Sequence, residues 1–146
     1  MLDGFARHGL FDLKVNVAGD LAVDCHHTIE DTGIVLGNAI KEAVGDKKGI
    51  RRYGSCILPM DETLVLCAVD LSGRPYLVFD GEFTTDRVGY MDTEMVKEFF
   101  YAISYTAGMN LHIRVLSGRK QPPYDRGDVQ GLLTKARGSR QRSFDP

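Results

Sequence analysis

From Ile29 to Val44 the positions Ile29, Gly33, Leu36, Ile40 and Val44 recur at steps of four, three, four and four residues. That spacing keeps them on one stripe of an α-helix, and such a stripe has to be buried against another element. Gly45 follows as a stop. A second stripe, Met95, Phe99, Ala102, Ile103 and Thr106, ends at Gly108, with Asp92 or Thr93 as its cap. Between the two helices the pattern changes. Ser55 to Leu58, Leu64 to Leu71 and Tyr76 to Asp80 read as strands, broken by Pro59-Met60-Asp61-Glu62 and by the turn Ser72-Gly73-Arg74-Pro75. The spacing predicts an antiparallel meander. Thr84 to Tyr90 reads as loop, and Leu111, Ile113 and Val115 alternate with His112 and Arg114 in a final strand.

Ahead of the first stripe, Leu2, Phe5 and Ala6 followed by Gly9 read as the last turns of a helix. Phe11, Leu13, Val15 and Val17 alternate with Asp12, Lys14 and Asn16, which predicts a half-buried strand. Gly19-Asp20 is a turn, and Leu21 to Val23 continue as a short strand. The pairing of a glycine-ended helix with an alternating strand occurs twice, at Gly9 before Phe11 to Val15 and at Gly108 before Leu111 to Val115. It is a short internal repeat.

The run Asp24-Cys25-His26-His27-Thr28-Ile29-Glu30-Asp31 holds two of the four histidines beside carboxylates. Thr28 with Asp31 is a T-x-x-D capping pattern, which places the histidine pair just outside the helix and Glu30 in its first turn. His26 and Glu30 are four apart and His27 and Glu30 three apart, so helical backbone brings them onto neighbouring surface. Imidazole and carboxylate are the usual ligands of zinc, manganese or iron. An exposed polar helix start without a ligand uses the same residues. Lys47, Lys48, Arg51 and Arg52 lie in a glycine-bracketed loop that is either solvated or an anion site, and Arg74 on its turn poses the same alternative. Glu98, next to Phe99, Phe100 and Tyr101, is either at the core boundary or paired to a cation or metal.

A chain of 146 residues is one domain by length, and a net charge of −2 with 43% hydrophobic residues suits a globular protein. No apolar run approaches the roughly 18 residues of a membrane span, and the start lacks a leader pattern. Cys25, Cys56 and Cys67 have no CxxC spacing, which points to thiols in a reducing cytoplasm. Charge is unevenly spread: residues 1–116 carry 11 Lys/Arg against 17 Asp/Glu, and residues 117–146 carry seven against three. A basic tail suits nucleic acid, but this one has no interleaved aromatics or supporting fold, so no nucleic-acid partner is expected.

Several segments together resemble the imidazoleglycerol-phosphate dehydratase family of histidine biosynthesis. They are Ala6 to Leu13, the HHTIED run from His26 to Asp31, GDKKGIRRYGS from Gly45 to Ser55, and Pro59 to Glu62. Asp70 to Asp80, the run from Thr93 to Phe100, and Leu111 to Arg114 complete them. The resemblance covers about residues 1 to 119 in order. It implies an α+β fold of two similar halves, each an antiparallel or mixed β-sheet backed by helices, with the second half incomplete here. It implies a cytoplasmic homo-oligomer, a 24-mer, with no membrane partner. Two manganese ions per active site would sit between subunits, held by an HHxxE motif from each half. The implied reaction is removal of water from imidazole glycerol phosphate to give imidazole acetol phosphate. By position, His26, His27 and Glu30 would be metal ligands, and Glu98 falls where relatives carry a ligand histidine. Glu30 and His27 would be catalytic. The run His26, His27, Thr28, Ile29 and Glu30, with Arg52 and Arg74 on the phosphate, would bind substrate. His8 and His112 match family positions and read as structural.

The departures from the family pattern are as informative. A strand and a histidine ligand expected ahead of Met1 are not in the sequence, and Gly4 stands where the family has a glutamine near the phosphate. After Arg119 the family continues into its second HHxxE and an amphipathic helix, whereas this chain reads Lys120-Gln121-Pro122-Pro123-Tyr124. Residues 1–119 are therefore expected to form the dehydratase-like domain and 120–146 an aberrant, disordered tail. Read one base out of register, permitted codons for Lys120 to Gly131 spell Asn-Ser-His-His-Met-Ile-Glu-Gly, the missing motif. The alternative function is then an inactive fragment that at most binds metal weakly. Resequencing the DNA is expected to show a one-base slip after Arg119; clean reads across an intact frame would refute it.

Overall fold

A computed structural model describes residues 2–19 and 24–118 of the chain. In order, the elements are α1 (Leu2–Gly9), α2 (His26–Val44), β1 (Tyr53–Met60), β2 (Thr63–Asp70), β3 (Tyr76–Asp80), β4 (Arg87–Val88), β5 (Met91–Asp92), α3 (Glu94–Ala107) and β6 (Asn110–Ser117). Four strands form one sheet in the order β1-β2-β6-β3. β1 and β2 are antiparallel around the two-residue turn Asp61-Glu62, β2 and β6 are antiparallel, and β3 runs parallel to β6. The predicted meander is thus interrupted, because β6 inserts between β2 and β3. Strand periodicity reports which faces are buried but is blind to which strand lies alongside.

The two stripes find each other. Gly33 of α2 lies against Phe99 and Ala102 of α3, and Gly37 against Ile103 and Thr106, so the helices run side by side in the same direction. Their shared layer covers the sheet face that carries Cys67, Leu111 and Ile113. α3 is buried on two sides. Phe99, Ala102 and Thr106 face α2, while Val96, Phe100, Ser104 and Ala107 extend the buried surface beyond the predicted stripe. Fully buried Ser104 lies 3.0 Å from the Tyr76 carbonyl and 2.8 Å from that of Met109, so its hydroxyl ties α3 to the start of β3 and the entry to β6. Gly108 takes the left-handed conformation at φ 65°, ψ 49°, as expected of a helix stop, and leads directly into β6.

Four expectations change. Phe11 to Val17 form no strand. Phe11 and Leu13 pack against the core, but Val15 and Val17 are exposed and the segment has no ladder partner among the described residues. Alternation marks a half-buried extended chain; a strand also requires a neighbour. Gly9 is the last residue of α1, and the left-handed turn falls on Leu10 at φ 54°. Part of the expected loop from Thr84 to Tyr90 pairs as the small β4–β5 hairpin. Finally, α2 begins at His26, two residues before Thr28. The short strand expected at Leu21 to Val23 and the tail 120–146 lie outside the described residues.

The Gly33 contact is close enough to test. A Cβ added there would stand 2.9 Å from the Phe99 carbonyl oxygen and 2.9 Å from the Ala102 Cβ. Overpacking costs about 1–3 kcal/mol, against a helix-propensity gain of about 1 kcal/mol. Gly33→Ala is expected to destabilise the fold by a net amount on the order of 1 kcal/mol, read as a lower urea midpoint.

Candidate metal and phosphate sites

His26, His27, Thr28, Ile29 and Glu30 form the first turns of α2. Thr28 does not cap it. Cys25 occupies the N-cap with no side-chain hydrogen bond, and the His26 amide donates to Asp24 Oδ1 at 2.9 Å. The Ile29 amide donates to the Cys25 carbonyl at 3.0 Å, and the Thr28 carbonyl accepts from Thr32 Oγ1 at 2.6 Å. An Asp side chain satisfies a helix-start amide as well as Thr does. The competing Asp24 lay two residues upstream of the first helical residue and was the signal for the earlier start.

Because the histidines are inside the helix, the side-chain spacing holds. His26 Nε2 lies 4.0 Å from Glu30 Oε2, and the His26 and His27 rings stand edge-on with centroids 5.8 Å apart. Both side chains of the His26–Glu30 pair are nearly half exposed. Two ligand atoms about 2.1 Å from a tetrahedral ion lie about 3.4 Å apart. The 4.0 Å between His26 and Glu30 is longer than that, so the two side chains would draw closer to share one ion, and their donor chemistry suits manganese or zinc. It is a partial set. Among the described residues, no group of three or more His, Cys, Asp or Glu side chains is gathered to hold a metal. Glu98 is in the second turn of α3, half-buried, and is not drawn into such a group.

Arg52 and Arg74 are brought together, at the other end of the layer. Arg52 precedes β1 and makes a two-pronged contact with Asp70, the last residue of β2: Nε to Oδ1 at 2.7 Å and Nη2 to Oδ2 at 3.1 Å. Its guanidinium also stacks over Tyr53, 4.8 Å from the ring centre. Hydrogen bonding from Arg52 holds the Asp70 carboxyl below the usual carboxylate range, and the charges of Arg74 and Lys47 act in the same direction. Three cations thus surround one carboxylate. Two of the five guanidinium donors of Arg52 are used on Asp70, leaving the others for a ligand. The Arg74 turn is held from below. Asn110 Nδ2 donates to the Arg74 carbonyl at 2.9 Å, and the Gly73 amide donates to that of Gly108 at 2.9 Å.

Sequence reading missed Asp70 as the partner that orients Arg52. The signal was the two-residue turn, because pairing outward from Met60 and Thr63 sets Tyr53 opposite Asp70.

The two sets of residues do not meet within the described chain. The Arg74 turn is bonded to Gly108 at the C-terminal end of α3, whereas His26 to Glu30 begin α2, which runs parallel to α3. The 14 residues of α3 alone span about 21 Å at ~1.5 Å per residue.

This α+β architecture, a sheet backed on one face by two parallel helices, has solved relatives. The structure is similar to crystal structures of imidazoleglycerol-phosphate dehydratase from Staphylococcus aureus and from Pyrococcus furiosus, the latter in complex with (S)-C348. The first has a TM-score of 0.77 at 36% identity, covering 93% of this chain and 78% of that one. The second has a TM-score of 0.63 at 25% identity, covering 99% and 80%. Residues 1–122 match the family model described as imidazoleglycerol-phosphate dehydratase, and the chain belongs to that family. Imidazoleglycerol-phosphate dehydratases of Lachnoclostridium phytofermentans and Acetivibrio thermocellus are 69% and 62% identical over 118 residues. Those residues make up 81% of this chain and 60% of each relative, so the chain spans about 60% of the length of the curated relatives it matches.

The Arg52–Asp70 pair has a defined pH signature. The folded pKa of Asp70 lies below its unfolded value of about 3.9. The pair therefore stabilises fully above that value and ceases to do so as pH falls through the folded pKa. Asp70→Asn is expected to lower the melting temperature near neutral pH, and the gap from the parent should close as pH falls through the lowered pKa of Asp70.

Proposed function

We propose that the chain is the catalytic unit, or part of it, of a manganese-dependent imidazoleglycerol-phosphate dehydratase of histidine biosynthesis. The enzyme removes water from imidazole glycerol phosphate to give imidazole acetol phosphate. The observation that carries this reading is the separation of the two residue sets. His26, His27 and Glu30 suit an imidazole-bearing, metal-assisted substrate, and Arg52 with Arg74 suits a phosphate, yet they stand at opposite ends of one helix layer. A substrate of this size would reach both sets only if a second copy supplied one of them, which supports a homo-oligomer with sites at the interfaces; the 24-mer belongs to this proposal. No helix among the described residues is long and apolar enough to cross a membrane.

His26, His27 and Glu30 would hold manganese, with Glu98 a further ligand supplied from α3. When bound, the metal would act as a Lewis acid toward the substrate imidazole, making the adjacent C–H removable. Glu30, at the ligand turn, would take that proton and His27 would assist, as general base and acid. Thr28 and Ile29, between them, would line the ring. Arg52, oriented by Asp70, and Arg74 would fix the phosphate, which turns a bimolecular encounter into a positioned one.

A second reading is favoured by the gathering of one partial ligand set among the described residues. In it, the 146-residue chain by itself binds metal weakly and is inactive, since losing ligands costs orders of magnitude in affinity. One assay separates the readings. Purified 146-residue chain with added Mn²⁺ is expected to show no dehydratase turnover, and a frame-restored, N-terminally extended chain is expected to show it. Glu30→Gln in the extended chain is expected to lower kcat by at least about 100-fold. Absence of turnover in the extended chain would overturn the dehydratase reading, and robust turnover by the shorter chain would overturn the second.

A further inference from the structure

Cys56 and Cys67 are directly opposite each other on the antiparallel pair β1–β2. Directly opposed residues on such strands have Cα atoms about 4.5–5.5 Å apart, inside the range of about 4.4–6.8 Å that a disulfide spans. Both side chains are on the helix-covered face. Cys67 is 1% exposed and belongs to the core, and Cys56 is half-buried and packs against it. Their thiols are within hydrogen-bonding reach, and that contact, with burial, pushes the Cys67 thiol up. No disulfide joins them.

We propose that Cys56 and Cys67 are an oxidation site, closing as a cross-strand disulfide when the protein meets hydrogen peroxide. The roles follow from exposure. Cys56 is the reachable sulfur, and Cys67, buried directly opposite it, is the sulfur positioned to resolve it. The Cys56 thiolate attacks one peroxide oxygen, the O–O bond breaks, and sulfenic acid and hydroxide result; the proton lost from Cys56 converts the hydroxide to water. The Cys67 sulfur then displaces the sulfenic oxygen, which leaves with the Cys67 proton as a second water. Both sulfurs are oxidised by one electron each, and peroxide is reduced to two waters. Cys25, at the N-cap of α2, has no part in it.

The new bond would lock the register of the β1–β2 hairpin that also sets Tyr53 opposite Asp70 and so places the Arg52 pair. The site is independent of the dehydratase reading, because it needs only the strand register.

The test uses the full chain. After peroxide treatment the protein is unfolded with iodoacetamide, digested and weighed. The three cysteines are expected to fall to one alkylated residue, Cys25. One peptide linking Cys56 to Cys67 should appear and be lost on treatment with dithiothreitol. Oxidised protein is expected to melt higher than reduced protein, and Cys56→Ser to show no such rise. Three alkylated cysteines after treatment would overturn the proposal, as would a link through Cys25 or between chains, or Cys56 carried to sulfinic acid with Cys67 still alkylated. Mapping of the parent protein decides the matter even if the variant fails to fold.

Discussion

The close approach of α2 and α3 at Gly33 and Gly37 is the contact on which the rest of the structure depends. With no side chain at either position, the backbones come near enough for one helix to seat on the other over two turns. That seating fixes their common direction. Their direction in turn puts both helix starts at one end of the layer and both helix stops at the other. Everything chemical follows that division, with imidazoles and carboxylate at the starts and guanidiniums beyond the stops.

At the arginine end, organisation comes from a carboxylate. Left alone, Arg52, Arg74 and Lys47 would repel one another. Asp70 lies among them, fixes Arg52 through two hydrogen bonds, and leaves the cluster cationic overall. Such pairs contribute little to stability when exposed. Their use is positional, because a guanidinium held in one orientation loses less freedom when a ligand arrives.

Much of this was legible in the residues themselves. The helices are visible because a buried stripe leaves a period of 3.6, and the HHxxE turn because contacts within one helix turn are set by spacing alone. The Arg52–Asp70 pair was hidden because its partners are 18 residues apart and meet only through hairpin register. The order of strands was hidden for a related reason. Alternation in Leu111, Ile113 and Val115 shows which face is buried, but nothing local records that this strand lies between β2 and β3. Phe11 to Val17 marks the converse limit, a strand-like pattern whose pairing is not made within the described chain.

The central placement of β6 has a consequence for how the chain reaches its fold. The β1–β2 hairpin contains all its own contacts and can form as soon as Asp70 is available. β3 cannot join it, because its ladder runs only to β6 among the described residues, more than thirty positions later. The chain must therefore hold an open sheet until β6 arrives. Loop closure over that distance precedes the contacts that reward it. During synthesis, the edge of β2 stays open to other chains for that whole interval, when a strand from a neighbour could take the place meant for β6.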